Sequence, residues 1–173
     1  LHPDRGAAHR RRPQRQVRPS MTRPAVAQPY IARLYRFWLL EQADITAEVG
    51  QRVVSDLATD AAGNPVAPEG SWVQVHNLGG SLSDPAWIAM TMLQVDCAAG
   101  PRYATHMLAE TVRRITDANF RGTIVGDADE AVISGLSLSG IADDSDTRFP
   151  GKAVPRSRFT VQIHSHPTSL AAS

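Results

Sequence analysis

The chain has 173 residues, 42% of them apolar, which is enough for one domain with a buried core and excludes a compositionally disordered protein. Its apolar stretches are shorter than the ~18 residues of a membrane-spanning helix, and its single cysteine, Cys97, excludes an internal disulfide and a cysteine-based zinc site. The net charge of +1 is unevenly divided, because residues 1–20 carry +5 and residues 21–173 carry −4. The domain itself therefore lacks the basic face of a general nucleic-acid-binding protein.

Residues 1–20 contain six arginines and one aspartate and show no apolar periodicity. Such a segment cannot bury enough apolar surface to fold alone, so we predict a basic, flexible N-terminal arm. It also lacks the apolar stretch of a secretory signal peptide. Two interpretations stay open: an upstream extension without a structural role, or an arm that becomes ordered on a partner through Arg10, Arg11 and Arg12.

The first predicted element is a helix over residues 28–42. Its apolar residues recur at intervals of three and four, as on one face of a helix: Ile31, Leu34, Tyr35, Trp38 and Leu39. A short strand is predicted at residues 51–57. Residues 58–71 follow as a loop rich in proline and glycine.

Two strands are predicted next. Residues 72–78 alternate, which places Trp72, Gln74 and His76 on one face of the strand. Residues 86–99 are apolar on both faces for most of their length, as is typical of a central strand that is covered on both sides. Cys97 lies in this stretch and is predicted to be a buried core residue.

A second helix is predicted over residues 101–119, with Pro101 at its first turn. Its apolar stripe contains Tyr103, Met107, Leu108, Val112 and Ile115. From the two helical stripes we expect a core that includes Leu34, Trp38, Met107, Leu108 and Ile115.

Two more alternating strands are predicted, at residues 131–141 and 157–165, separated by an acidic loop. The element order is then α-β-β-β-α-β-β. It predicts an α+β fold in which two helices pack on a single mixed or antiparallel sheet of about five strands. The domain would cover residues 21–167, followed by a short C-terminal tail at residues 168–173.

The segment His164-Ser165-His166-Pro167 resembles the start of the metal motif of JAMM-type metallopeptidases. Two histidines at i and i+2 of a strand point to the same face, but a zinc site needs three or four ligands. The six residues that follow, Thr168 to Ser173, include no acidic residue. We therefore expect no metal, no other cofactor and no catalysis at this strand end.

Two acidic stretches bring carboxylates close together, at residues 126–131 and 143–146. Neither has the alternating ligands, glycine and closing glutamate of a calcium loop, so solvated acidic turns are expected. The loops at residues 58–71 and 142–156 are long for a compact domain, and we expect them to contact other protein chains. In the second loop, the candidate interface residues are Asp143, Asp144, Asp146, Arg148 and Lys152.

The order of segments resembles the tail terminator family of long, non-contractile-tailed bacteriophages. The long strand ends near Asp96, a helix containing "ATHMLAETVRRI" follows, and the last strand begins with the step Arg158-Phe159. The resemblance covers about residues 28–165 and consists of periodicity and spacing, without a signature motif. The arm at residues 1–20 has no counterpart in it.

This resemblance implies a structural virion protein that is not an enzyme. It implies a homo-hexameric ring that caps the tail tube protein, stops tube polymerisation and joins the tail to the head connector or head-closure protein. Genomic DNA would pass through the lumen of the ring. The protein would be assembled in the host bacterial cytoplasm and end in the virion neck. Ring interfaces or the core are equally suitable places for Trp38, Trp72 and Trp87.

Two alternatives stay open. Within the same class, the chain is another neck, head-closure or minor tail protein. From a different class, it is a small metal-dependent hydrolase that uses His164 and His166.

Overall fold

The computed structural model describes residues 30–82, 88–126 and 131–168, and it confirms an α+β domain. The arm at residues 1–20 and all but the first residue of the C-terminal tail lie outside the described residues. The helices in the described part are α1 (Ile31–Leu40), α2 (Ala43–Val49) and α3 (Arg102–Asn119). The strands are β1 (Val53–Val54), β2 (Trp72–Leu82), β3 (Ala89–Ala98), β4 (Ile124–Val125), β5 (Ala131–Leu138), β6 (Ala142–Asp146) and β7 (Val154–Pro167).

These strands form one sheet, in the order β1-β2-β3-β7-β5-β4, with β6 paired to β7 alongside. The pairing of β1 with β2 is parallel, and the other described pairings are antiparallel. Strand β7 has β3 along one side, whereas β5 and β6 share its other side, one after the other. Side chains of β7 therefore contact both halves of the sheet.

The three helices cover one face of this sheet and form the main core with it. Tyr35 and Trp38 of α1 pack against Phe120, the residue after α3, with ring centroids 5.0 and 4.6 Å apart. The Tyr35 hydroxyl shares a hydrogen bond of 2.7 Å with the hydroxyl of Thr116, which satisfies both buried groups. Within the described residues, no helix has the length and apolar character needed to span a membrane.

Most of the predicted core residues are buried: Leu34, Trp38, Leu108 and Ile115. The prediction was wrong for Met107, which is 45% exposed, and the predicted stripe also wrongly included Tyr103, which is 76% exposed. The buried stripe of α3 instead includes small residues, Thr105, Ala109 and Thr116. The Thr105 hydroxyl accepts a hydrogen bond from the backbone N–H of Ala99, and the Thr116 hydroxyl donates one to the Val112 carbonyl, so both threonines can be buried at little cost.

The element count was also corrected by the structure. Helix α2 was missed because its seven residues are too few for a clear periodic signal, and β4 has only two residues. Part of the predicted loop at 142–156 is strand β6, whose sequence, Ala-Asp-Asp-Ser-Asp, is poor in strand-forming residues. The predicted acidic turn at 143–146 is therefore a paired strand, and its carboxylates require partners. The other acidic stretch, 126–131, falls largely outside the described residues.

Strand β2 contains a bulge between Asn77 and Gly79, where its register on β3 shifts by one residue. Gly79 adopts a positive φ of 106°, which favours glycine. A Cβ atom at Gly80 would overlap the carbonyl oxygen of Met90. The Gly-Gly pair therefore continues the strand through a bulge, whereas the strand predicted from the sequence stopped at residue 78.

We predict that Leu108→Ala lowers the free energy of unfolding by ~2–5 kcal/mol, because it leaves a cavity under α3. Met107→Ala, one position away on the exposed side of α3, should change it by no more than about 0.5 kcal/mol. Chemical denaturation of the two variants measures both values. Equal losses would show that α3 is rotated relative to its described orientation.

Candidate functional site

The second face of the sheet, which we call the open face, carries no helix among the described residues. It is formed by every second residue of the central strands and is mainly polar. Its side chains come from β2, β3 and β7: Gln74, His76, Met90, Met92, Gln94, Asp96, Arg156, Arg158, Thr160, Gln162, His164 and His166. Charged side chains concentrate at one end of this face, where β6 pairs with β7.

Arg156 lies at the centre of this charged end and contacts three aspartates. Its Nε and Nη2 donate hydrogen bonds of 2.8 and 2.9 Å to the two carboxylate oxygens of Asp144, the residue directly opposite on β6. Its Nη1 donates a bond of 3.3 Å to Asp96 and lies 3.6 Å from Asp146. The Arg156 side chain is only 14% exposed. One guanidinium therefore connects β3, β6 and β7.

Asp96 is the most deeply buried member of this group, with no exposed side-chain surface. Gln94 Nε2 donates a hydrogen bond of 2.8 Å to its Oδ1, and His76 Nε2 lies 3.2 Å from its Oδ2. Together with Arg156, these partners satisfy both oxygens of a carboxylate that would otherwise be costly to bury.

Asp146 ends β6 and binds the side chain of Arg148 through both carboxylate oxygens. Arg148 also reaches β2, where its Nη2 lies 3.4 Å from the Gln74 side-chain oxygen. Beside this contact, Phe149 packs edge-on against Trp72, with ring centroids 6.5 Å apart. The segment after β6 is therefore folded back over the end of the open face.

Arg158 completes the group by donating from Nη2 to Asp144, at 2.7 Å. We call these six residues the arginine–aspartate cluster: Asp96, Asp144, Asp146, Arg148, Arg156 and Arg158. Its three positive and three negative charges balance. Buried charges are tolerated when they are paired in this way, whereas removal of one partner leaves an uncompensated charge.

The arginines of the cluster hold Asp144 and Asp146 in the ionised form. Hydrogen bonds from Arg156 lower the pKa of Asp144. Burial alone would raise the pKa of Asp146, but hydrogen bonds from Arg148 outweigh it and lower the pKa. Hydrogen bonding to Asp144 in turn raises the pKa of Arg156. Groups fixed in this way do not exchange protons near neutral pH, so their role is to hold charges in place.

Asp143 lies on the opposite, helix-covered side of β6. Its carboxylate accepts a hydrogen bond of 2.5 Å from the Ser157 hydroxyl and lies 2.9 Å from Nδ1 of His106 on α3. These two hydrogen bonds, from Ser157 first, lower the pKa of Asp143. Asp144 and Asp146 therefore anchor β6 to the sheet on one face, and Asp143 anchors it to α3 on the other.

The predicted interface residues consequently fall into three groups. The structure brings Asp144, Asp146 and Arg148 together, but each of them forms ion pairs with other side chains of the same chain. Lys152 is exposed at a hollow beside the Trp72 end of the sheet. The arginines at positions 10–12 lie outside the described residues, as does Trp87. Contact of any of these residues with a partner stays a prediction.

Sequence reasoning gave no site role to Asp96 or Arg156, which complete the cluster, or to His76, which lies beside Asp96. Arg156 and Arg158 stand at alternate positions of the last strand, and that spacing alone places them on one face. The signal was therefore present, but the register that sets Arg158 opposite Asp96 depends on the strand pairing.

His164 and His166 lie on the same face of β7, as predicted. His164 Nε2 lies 3.1 Å from Nε2 of Gln162, and His166 Nδ1 lies 3.4 Å from the backbone oxygen of Pro167. Among the described residues, no three His, Cys, Asp or Glu side chains come together as a metal site would require. Cys97 is fully buried, as predicted, and burial raises the pKa of its thiol.

No model of a known protein family matches this chain, and no curated protein gives a significant sequence match to it. The resemblance to tail terminators therefore stays a prediction from the order and spacing of the sequence segments.

We expect Arg156→Met to lower the free energy of unfolding by ~3–5 kcal/mol, because it leaves Asp96 and Asp146 buried without their shared partner. Arg158→Met is the matched control. It removes the same charge from the same strand face, but at a half-exposed position, and should cost no more than ~1 kcal/mol. Denaturant titration compares the two variants, and an equal cost would contradict the central position of Arg156.

Acid should destabilise the protein below about pH 4, where carboxyls with lowered pKa values become protonated. A carboxyl whose folded-state pKa is lowered contributes stability above its unfolded pKa, and that contribution disappears as the pH falls through the folded value. Denaturation midpoints measured across this range should fall less steeply for Asp144→Asn than for the unaltered protein. Asp56→Asn, at an exposed aspartate, should leave the slope unchanged, and identical slopes for all three proteins would contradict the pKa assignment.

Proposed function

We propose that this protein is a structural virion component that forms a ring at the end of a bacteriophage tail tube. In this role it stops tube polymerisation and offers a face to the head connector. One observation is the main support for the proposal: two residues that belong to the family resemblance lie in the same ion-pair cluster.

The first of these features is the aspartate near the end of the long strand, Asp96. The second is the arginine–aromatic step at the start of the last strand, Arg158-Phe159. These positions are far apart in the sequence, but Asp96 and Arg158 are direct partners in the register of β3 and β7. The adjoining Phe159 is buried in the main core. Such a pairing supports the idea that the resemblance reflects a common sheet.

A closed ring requires two different complementary surfaces on each subunit. One candidate lies beside the edge strand β4, where Phe37 is 41% and Ile124 56% exposed. Between them is a hollow of about 230 Å³ whose walls include Leu34 and Trp38. An apolar side chain of a neighbouring subunit would fit such a hollow, and this surface is our candidate for one half of the ring contact.

Charge supports the same function. Residues 21–173 carry −4, so that a ring made of this domain would repel DNA more than it binds it. DNA would then slide through the lumen. The ion pairs of the arginine–aspartate cluster hold their charges within each subunit, where they stabilise the fold instead of binding phosphate. The implied partners are five further copies, the tail tube protein and a head-closure protein in the virion neck.

Tail length gives the direct test. Tubes assembled with this protein should have a uniform length and carry six copies at one end in an electron cryo-microscopy reconstruction, whereas tubes assembled without it should be overlong. Uniform tubes in its absence would indicate another neck protein, and any copy number other than six would contradict the ring.

The ring contact has its own pair of variants. Ile124→Glu places a charge in the candidate contact and should abolish capping, because desolvating the carboxylate is costly. Leu78→Glu changes a similarly exposed apolar residue at the bulge of β2 and should cap normally. Both variants should keep the thermal stability of the unaltered protein, which separates loss of contact from loss of fold.

A further inference from the structure

A groove between α2 and α3 combines apolar and acidic walls at the protein surface. It has a volume of about 320 Å³. Tyr103 and Met107 of α3 form one wall and are largely exposed. Asp44 and Glu48 of α2, both exposed, form the other wall. Two large apolar side chains are exposed here beside two carboxylates, a combination that suits a ligand with both apolar and positively charged parts.

We propose that this groove is the docking site of the arginine segment Arg10–Arg12 of the same chain. This docking does not require formation of the ring. It concerns where the basic residues at positions 1–20 make contact in the free protein.

The chemistry of arginine matches both walls. A guanidinium forms paired hydrogen bonds to a carboxylate and stacks on an aromatic ring, and its three methylene groups pack on apolar surface. Asp44 and Glu48 supply the carboxylates, Tyr103 the ring and Met107 the apolar surface. A lysine-rich segment would use the carboxylates but would gain less from the ring.

The charges of the whole chain favour this occupant. Residues 1–20 carry +5, whereas the rest of the chain carries −4, so the segment is attracted to the domain. Arg102, at the start of α3, contributes to lowering the pKa of Asp143, on a different side of α3 from the groove wall. The positive charge of Arg102 is thus already balanced by the nearby Asp143.

The connection is long enough. Seventeen residues separate Arg12 from Tyr30, where the described chain begins, and an extended chain of this length spans up to about 56 Å. Helix α1 is about 15 Å long, and α2 begins three residues after its end. The segment can therefore reach the groove of its own chain.

Paramagnetic relaxation in the full-length protein tests this docking. A nitroxide label is attached to the variant Gln14→Cys, and Cys97, which is fully buried, leaves the introduced thiol as the reactive one. In ¹⁵N-labelled protein, the amide signals of residues 44–48 and 103–107 should lose more than half of their intensity. Signals of β5, on another part of the sheet, should keep theirs.

Two variants define the chemistry. Replacing Asp44 and Glu48 together by Asn and Gln should restore most of the lost intensity, whereas Glu41→Gln, an exposed acid at the end of α1, should restore none. Added salt should have the same effect as the double variant, because exposed ion pairs are screened. Unchanged broadening in the double variant would overturn the assignment to this groove.

A mixed sample distinguishes the source of the segment. Spin-labelled protein without ¹⁵N is combined with unlabelled ¹⁵N protein, so that only contacts between copies broaden signals. No broadening is expected. Broadening of the groove signals in the mixture would show that a second copy supplies the segment, and no broadening of the groove signals in either sample would show that the segment does not dock there. Either result overturns the proposal.

Discussion

One largely buried guanidinium connects three strands of the sheet. Arg156 binds carboxylates from β3 and β6 while its own backbone lies in β7, so three strands share a single charged side chain. Coulomb attraction is strong here because the group is largely withdrawn from water. The same withdrawal makes pairing necessary, since Asp96 and Asp146 would be costly to bury alone. We therefore expect the short acidic strand β6 to keep its place in the sheet only while Arg156 is present.

The two faces of the sheet contribute to folding in different ways. The helix-covered face supplies apolar burial through residues such as Tyr35, Val95 and Val161. The open face supplies specificity, because Asp96 is satisfied only when β2, β3 and β7 are in their observed register. A shift of one residue would turn these polar groups toward the apolar core. The arrangement thus favours one register over its neighbours.

Much of this fold could be predicted from the sequence. The alternation in β2 and β7, the apolar run of β3 and the helical spacing of α3 each depend on residues close together in the chain. Strand β6 could not be predicted in this way, because its aspartates favour turns locally and become strand residues only opposite Arg156. For the same reason, Asp144, Asp146 and Arg148 were assigned to a surface loop, as candidate interface residues. The burial of Asp96 likewise follows from partners twenty or more residues away.

Hydrogen exchange measures most directly whether Arg156 holds β6 in the sheet. In the unaltered protein, the amides of residues 142–146 should be protected to an extent comparable with their partners on β7. In Arg156→Met, protection of residues 142–146 should be lost, while β5, which pairs with the other half of the same edge of β7, should keep its protection. Full protection of residues 142–146 in that variant would contradict the dependence of this strand on one guanidinium.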